Sequence, residues 1–372
     1  MSGATVNLFA QVQSSQPGEN ILLSPTSIDF ALGMTENGAA GETLSQMEET
    51  VNGGLSVDTI NPIMKHLSNR YMNAAEVEWN IANSIWFKND GQVAMGDEFL
   101  DKVVGYYGAD IFLAPFDSQT LDDINGWVND KTKGMIPNIL DQIHENARMY
   151  LVNAIAFEGE WAEQYEEDKI TEGRTFTNAD GSESDVTMMT STENRYFEIA
   201  GGQGFLKPYK GREYSFVGIL PAEGDTPEDL IAKIQKGNVD LSKTLREAGV
   251  NEVHVTMPEF TNDYYIEMND TYQNMGMDIP FNEAKADFSP MMHSTDGSPA
   301  NIWIGRIIHK THIEVDRKGT KAAASTVVEM RYKNAIVMDE SKCITLDRPF
   351  VYAVVENETG LPVFIGCQNY IK

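Results

Sequence analysis

The sequence predicts an α+β protein that folds as a single domain. Helical patterns stand in the first third of its 372 residues, and strand patterns dominate the remainder. No linker rich in proline, glycine or serine divides the chain, and it contains no internal repeat. A chain of this length can bury a sizeable core. We therefore expect one domain over residues 1–372.

The first helices are indicated by their start signals. Ser-Pro-Thr-Ser at residues 24–27 opens an apolar helical stretch, which breaks in the segment Asn-Gly-Ala-Ala-Gly before a second helix. A further helix is expected at residues 118–135, where apolar side chains recur on one face. Thr120 and Asp123 are the candidate cap at the start of that helix.

Strand patterns begin near the middle of the chain. Residues 149–157 form a nearly continuous apolar run, which is typical of a central strand covered on both faces. Residues 205–221 predict a hairpin with Lys210, Gly211 and Arg212 at its turn. Further strands are expected at residues 252–260, 301–316, 350–357 and 361–368.

The chain is strongly acidic, with 28 basic and 56 acidic residues and a formal net charge of −28. Such a surface repels phosphate groups, so we expect neither nucleic acid nor an anionic membrane as a partner. No apolar run reaches the roughly 18 residues that a membrane helix needs. The first residues lack the basic and apolar regions of a signal peptide. These observations leave the compartment of the protein open. We favour a secreted protein, and a cytoplasmic protein is the alternative.

The sequence offers no pattern for catalysis or for a cofactor. It lacks the motifs of serine hydrolases, zinc peptidases, phosphate-binding loops and dinucleotide-binding folds. On a strand, the close pair His309 and His312 points to opposite faces, so we do not expect it to bind a metal. Cys343 and Cys367 lack the spacing of a zinc site, and whether they pair stays open. We expect a protein that is not an enzyme and needs no cofactor.

Residues 313–338 carry the most informative pattern. The even positions after Gly319 are uncharged: Thr320, Ala322, Ala324, Thr326, Val328 and Met330. The odd positions include charged and polar residues, as expected for a strand with one buried face. The first half, however, is mostly alanine, which forms strands poorly. The pattern fits a loop that becomes a strand, an ordinary edge strand or a short alanine-rich helix, and by itself leaves the three open.

This loop and its flanks resemble the reactive-centre loop of serpins. The segment GTKAAASTVV, preceded by IIHKTHIEVDRK, is similar to the hinge of that loop. Other segments resemble serpins in the same order along the chain: NILLSPTSI, NGAAGETLSQM, INGWVNDKTKGMI, LVNAIAFEGEWA, KPYKGREYSFVGILP, ADFSPM and DRPFVYAVVENETGLPVFIGC. The resemblance covers about residues 4–370, and only the first helix looks short.

The resemblance implies a serpin fold with three β-sheets, eight or nine helices and an exposed reactive-centre loop at about residues 319–342. It also implies a suicide inhibitor of serine proteases. In that mechanism the protease cleaves the loop, forms an acyl-enzyme and is trapped when the loop inserts as a new strand of the main sheet. The hinge of the loop corresponds here to Gly319, Thr320, Lys321, Ala322, Ala323 and Ala324. Uncharged even positions avoid the cost of burying a charge, which argues against a non-inhibitory carrier.

The position of the reactive bond follows from the same resemblance. Counting from the hinge glycine gives the bond between Lys333 and Asn334, which suits a trypsin-like protease whose pocket ends in a carboxylate. Arg331 is a near alternative. Counting back from the Arg-Pro pair before the next strand gives Met338, in an apolar run that suits elastase-like or subtilisin-like proteases. Lys333 is the preferred assignment.

Further residues take their roles from the family by position. The shutter, a polar cluster beneath the centre of the main sheet, corresponds here to Ser24, Ser27, Asn153 and His309. Trp161 matches the tryptophan of the breach, at the top of the sheet where insertion begins. Arg317 and Glu259 stand where many serpins have a Glu–Lys pair, with both signs reversed, and a charge swap would keep the pair. Lys65, His66 and Arg70 are too few for a basic helix, so we expect no heparin-type activation. The resemblance also leads us to expect a monomer.

Overall fold

The structure is a computed structural model that describes residues 2–296, 300, 302–320 and 342–371. Within these ranges the chain forms nine α-helices, two short 3₁₀ turns and three β-sheets. The predicted α+β fold with three sheets is confirmed. In the same part of the chain, no helix is both long enough and apolar enough to cross a membrane.

The helices lie mostly in the first third of the chain. They are α1 (Ser2–Ser15), α2 (Pro25–Glu36), α3 (Gly41–Asn52), α4 (Val57–Met72), α5 (Asp97–Tyr107), α6 (Ser118–Lys131), α7 (Pro227–Lys236), α8 (Leu241–Arg246) and α9 (Asn269–Asn274). Ser24 caps α2 as its start signal predicts, because its side chain accepts a hydrogen bond from the Ser27 amide at 3.3 Å.

The predicted cap of α6 is wrong in part. Asp117 is the N-cap residue, and its carboxylate accepts the Thr120 amide at 3.0 Å while the Thr120 hydroxyl accepts the Asp117 amide at 3.3 Å. Asp123 instead accepts a hydrogen bond from the exposed side chain of Gln119 one turn earlier. The physical reason is that a cap must precede the first helical residue, and Asp123 lies within the helix.

The main sheet has six strands. In spatial order they are β11 (Phe260–Glu267), β13 (Ile308–Val315), β14 (Gly319–Thr320), β5 (Met149–Glu160), β2 (Val77–Lys88) and β4 (Asp110–Ala114). The strand predicted at 301–316 is shorter than expected. It begins only at Ile308, and the Ile304 amide upstream bonds to the carbonyl of Pro280 outside any strand.

The second sheet has nine strands and contains the predicted hairpin. Its main path is β1 (Ile21–Leu23), β17 (Pro362–Gln368), β16 (Phe350–Glu356), β9 (Tyr214–Leu220), β8 (Gly202–Pro208), β7 (Glu183–Ile199), β10 (Gly249–Pro258) and β15 (Lys342–Thr345), and β6 (Ile170–Thr177) pairs with β7. Two short strands, β3 (Val93–Met95) and β12 (Met292–Ser294), make the third sheet.

The core lies between the two large sheets. Trp79 of β2 packs against Phe157 of β5 and against Tyr214 of β9, with ring centroids 4.5 and 5.1 Å apart. Helix α6 covers the other face of the main sheet, where its Ile124 and Val128 belong to a second apolar cluster. The main sheet is therefore covered on both faces near β5, as the apolar run at 149–157 predicts.

Candidate loop-insertion site

One end of the main sheet contains a strand, β14, of which the structure describes two residues. β5 and β13 run parallel because each pairs antiparallel with β14, which lies between them. Thr320 pairs with Gly159 of β5 and Val315 of β13. Within the described residues, no other strand pairs with the facing edges of β5 and β13. The first two hinge residues thus occupy the top of a gap between two parallel strands.

Gly319 fits this position because its backbone lies against β5. A Cβ atom built on Gly319 would stand 2.1 Å from the carbonyl oxygen of Gly159 and 2.8 Å from the Cα of Glu160. Both contacts are to backbone, so no side-chain movement relieves them. Only glycine allows the chain to enter the sheet at this point.

Thr320 is already buried, with 2% of its surface exposed. Its hydroxyl lies 2.7 Å from the hydroxyl of Tyr209, the residue directly after β8. The Tyr209 ring stacks on Trp161 at 4.8 Å between centroids, with the two planes 11° apart. Trp161, predicted to mark the breach, therefore lies beside the entering hinge.

A short segment after β5, residues 161–165, binds the chain just before the hinge. The Trp161 indole donates to the carbonyl of Asp316 at 2.8 Å, and its amide donates to the carbonyl of Lys318 at 3.0 Å. The amide of Tyr165 donates to the carbonyl of Arg317 at 3.4 Å. Three successive carbonyl groups are thus held by residues 161–165, which we call the clamp segment.

Arg317 and Glu259 form the ion pair that the charge swap suggested. The Arg317 guanidinium makes two hydrogen bonds to the carboxylate, at 2.8 and 3.1 Å, and the Arg317 amide adds a third at 3.1 Å. The Glu259 carboxylate raises the pKa of Arg317 above its usual value, mainly through the side-chain hydrogen bond. The side chains keep about a third and a quarter of their surface exposed, at 34% and 23%.

The predicted shutter residues lie together beneath the middle of the sheet. The Ser24 amide donates to Nε2 of His309 at 3.0 Å, and the Ser24 hydroxyl donates to the carbonyl of Val363 at 2.9 Å. The Ser27 hydroxyl bonds to the side-chain oxygen of Asn153. The start of α2 is thereby tied to β13 through His309 and to β5 through Asn153, the two strands that flank the gap.

His309 is neutral in this cluster. Its imidazole is buried, and burial lowers its pKa from 6.5 to about 3. Because Nε2 accepts a hydrogen bond from the Ser24 amide, the ring proton is on Nδ1. A charged imidazole at this depth would lose that hydrogen bond and carry an unpaired charge.

Sequence reasoning missed several residues that complete these clusters. Asn83 accepts a hydrogen bond from Asn153 at 2.6 Å and donates to the carbonyl of Tyr107, also at 2.6 Å. Thr311 donates to the carbonyl of Leu22 at 2.7 Å. Tyr209 lies inside the predicted hairpin. Its place directly after the first strand of that hairpin was the one signal that it lies at the end of a sheet.

The remaining residues of the predicted loop lie outside the described residues. Among them are the candidates for the hinge and the reactive bond, Lys321, Ala322, Ala323, Ala324, Arg331, Lys333, Asn334 and Met338. The two cysteines are far apart in the second sheet. Cys343 is exposed on β15 and Cys367 is buried on β17, with five strands between them, too far for a disulfide.

The fold and site define a protein whose main sheet holds Gly319 and Thr320, the first residues of the expected loop, as a short strand between two longer ones. A family model described as "Serpin (serine protease inhibitor)" matches residues 2–370. Leukocyte elastase inhibitor A of Rattus norvegicus is 31% identical over 377 residues, covering 97% of this chain and 96% of the relative. The chain therefore belongs to the serpin family.

Solved structures give the same fold. The native state of the thermophilic serpin tengpin has a TM-score of 0.89 and 38% identity, covering 100% of this chain and 93% of tengpin. Thyroxine-binding globulin in complex with thyroxine has a TM-score of 0.83 and 24% identity, covering 100% of this chain and 98% of that one. The second match speaks for the fold alone. The same fold thus occurs in the serpin tengpin and in a globulin that binds thyroxine.

Proposed function

We propose that the chain is a suicide-substrate inhibitor of serine proteases, which traps the acyl-enzyme by inserting its cleaved loop between β5 and β13. The observation that carries the proposal is β14. Within the part of the chain that the structure describes, this strand consists of Gly319 and Thr320, and it stands between two longer parallel strands. Lengthening β14 would give those strands the hydrogen-bonding partner that they lack below Thr320 in the described residues.

The register of β14 predicts which residues of β5 and β13 would lie beside each residue of a lengthened strand. Asn153 and His309 each lie six residues before the partner of Thr320 on their strands, and Thr326 lies six residues after Thr320. In an antiparallel ladder the loop advances as its partners recede. Thr326 would therefore come between Asn153 and His309, above the start of α2.

The same register explains the uncharged even positions. Every second residue of β13 is buried, and Ile313, Thr311 and His309 are the ones below Val315. Cross-strand partners point to the same face, so Ala322, Ala324 and Thr326 would enter the core beside them. Small uncharged side chains can do so, whereas a charge would cost several kcal/mol.

The register also bears on the reactive bond. Met149 at the start of β5 would stand opposite Met330, so Lys333 lies three residues beyond the sheet. Three extended residues span roughly 10 Å, whereas the eight residues to Met338 span roughly 26 Å and leave a slack tether. The bond from Lys333 to Asn334 is therefore our proposed reactive bond, and a trypsin-like protease is the proposed target. Elastase-like or subtilisin-like proteases remain the alternative.

The proposed partners follow from the charge of the chain. At −28, the surface disfavours heparin, nucleic acid and anionic membranes as activators or partners. We propose a monomer that acts on proteases outside the cell, with a cytoplasmic role as the alternative. The inhibitor is consumed in the reaction and is not itself an enzyme.

The test is incubation with trypsin and with elastase, followed by a denaturing gel and mass analysis of the released C-terminal peptide. A covalent complex that survives denaturation, with the cut after Lys333, supports the proposal. Cleavage without a complex would make the chain a substrate. Absence of any reaction with either protease would favour the non-inhibitory alternative, a carrier.

A further inference from the structure

A buried ion pair lies directly beneath the clamp segment. Lys207 of β8 and Glu193 of β7 have only 2% and 7% of their surface exposed. Their charged atoms are 2.9 Å apart, and the same oxygen of Glu193 accepts the Ser191 hydroxyl at 2.7 Å. Two charges removed this far from water need good geometry to offset the desolvation cost, so the pair is expensive to keep.

The ammonium group of Lys207 reaches the clamp segment in three ways. It donates to the carbonyl of Glu163 at 3.3 Å. It also lies 4.3 Å from the centroid of the Tyr165 ring and 5.3 Å from that of the Trp161 ring. Such cation–π contacts are stronger in desolvated surroundings. Lys207 therefore contacts the beginning, middle and end of the segment that holds the carbonyls of residues 316–318.

We infer that the Lys207–Glu193 pair is a positioning element that keeps the clamp segment on the chain leading into the hinge. It thereby sets what fraction of the cleaved inhibitor molecules insert their loop and trap the protease instead of releasing it. Glu193 fixes the ammonium group, the ammonium group fixes residues 161–165, and their amides and indole fix residues 316–318. The effect on inhibition rests on the proposed function, whereas the effect on the clamp segment does not.

The neutral double variant Lys207→Met with Glu193→Gln tests this inference. Methionine keeps the length of the lysine stem, and glutamine keeps an acceptor for Ser191, so no charge is left buried alone. The matched control is Arg70→Met with Glu356→Gln, because Arg70 and Glu356 form another ion pair, 2.5 Å apart with Glu356 buried, that joins α4 to β16. Each variant is compared with wild type.

Two measurements are needed. Hydrogen exchange of the uncleaved protein, resolved to peptides containing Trp161 and Tyr165, should be several-fold faster in the double variant and unchanged in the control. With a protease that forms a complex, the number of inhibitor molecules consumed per protease trapped should rise several-fold. The rate of loop cleavage should stay the same, because the clamp segment acts after acylation.

The possible outcomes test the proposed inhibitory function and the positioning of the clamp segment separately. If wild type traps no protease, the proposed function fails, and the exchange measurement alone decides whether the pair positions the clamp segment. If exchange at Trp161 and Tyr165 is unchanged, the inference is wrong. The inference is also wrong if wild type traps protease and hydrogen exchange is faster in the double variant, but the number of inhibitor molecules consumed per protease trapped is unchanged. A lower melting temperature with both readouts unchanged would make the pair merely structural.

Discussion

Arg317 and Glu259 pair across the top of the main sheet, joining the residue two before the hinge glycine to the residue directly before β11. The carboxylate receives three hydrogen bonds, two from the guanidinium and one from the Arg317 amide. A bidentate pair of this kind fixes direction as well as distance. It is therefore suited to fixing the end of β13 against β11, on the side of β13 that faces away from the gap, and with it the chain that leads into the hinge.

Removing the guanidinium should loosen the end of β13 next to the hinge. In Arg317→Ala the amide bond to Glu259 remains, but the carboxylate loses its counter-charge, which costs on the order of 1 kcal/mol for a partly exposed pair. If the native state is kinetically trapped, even this loss should appear as faster polymerisation or inactivation on mild heating. Native gels and residual inhibition after timed heating measure it.

The double swap Arg317→Glu with Glu259→Arg is the control for charge complementarity. It should restore part of the barrier, and only part, because an arginine at position 259 cannot accept the amide of residue 317. Single variants that convert no faster than wild type, or a swap that rescues nothing, would leave the two residues without a role in holding the end of β13.

Thr320→Arg should convert the inhibitor into a substrate. Thr320 is buried against Tyr209, so an arginine would bring a charge under the sheet at a cost of several kcal/mol. The matched control Thr320→Val keeps the shape, loses only the hydroxyl contact and should still trap protease. The measurement is inhibitor consumed per protease trapped, and an unchanged value for Thr320→Arg would contradict the insertion register.

Lys333→Ala should abolish inhibition of trypsin-like proteases, because alanine offers no cation to the carboxylate in their specificity pocket. Any inhibition of elastase-like proteases through the run ending at Met338 should persist. Peptide masses after trypsin treatment of wild type should place the cut between Lys333 and Asn334. A trapped complex cut solely after Arg331 would move the reactive bond and overturn the assignment.

Glu36 predicts a pH dependence of stability away from the loop. It is fully buried at the end of α2, where Asn52 donates to one carboxylate oxygen and the other has no hydrogen-bond partner within the described residues. Burial raises its pKa from 4.5 to about 8. The folded state thus binds the extra proton between these values, so the stabilisation is complete below pH 4.5 and is lost as pH rises to 8.

Glu36→Gln removes that loss because glutamine does not titrate. The variant should gain on wild type between pH 5 and 9, by on the order of a few kcal/mol in unfolding free energy, while exposed Glu49→Gln should track wild type. Thermal melts across this pH range measure the difference. A constant gap between Glu36→Gln and wild type would show that Glu36 stays ionised in the folded protein.

The fold was largely predictable because its signals are local. The apolar run at 149–157, the hairpin around Gly211 and the start of α2 at Ser24 follow from periodicity, turn residues and capping. The start of the strand expected at 301–316 was not predictable, since the Ile304 amide donates to the carbonyl of Pro280 in a 3₁₀ turn, a contact distant in sequence. Local patterns do not report such contacts.

The site divides in the same way. Family resemblance placed Arg317 opposite Glu259 and grouped the shutter residues, because each occupies a recognisable motif. Lys207 could not be found, since a lysine in a strand predicts an outward side chain, and its burial depends on Glu193 of the neighbouring strand. The register of β14 was not predictable either, because two residues are too few to show a periodicity.

The most direct test of the central claim is the structure of the protein after its loop has been cut by a protease that it does not trap. We expect residues 320–330 to form a strand between β5 and β13 that continues the pairing of Thr320 with Gly159 and Val315. Thr326 should then lie between Asn153 and His309. The melting temperature of the cleaved protein should be well above that of the intact protein. A cut loop that stays outside the sheet, with β14 still two residues long, would contradict the central claim.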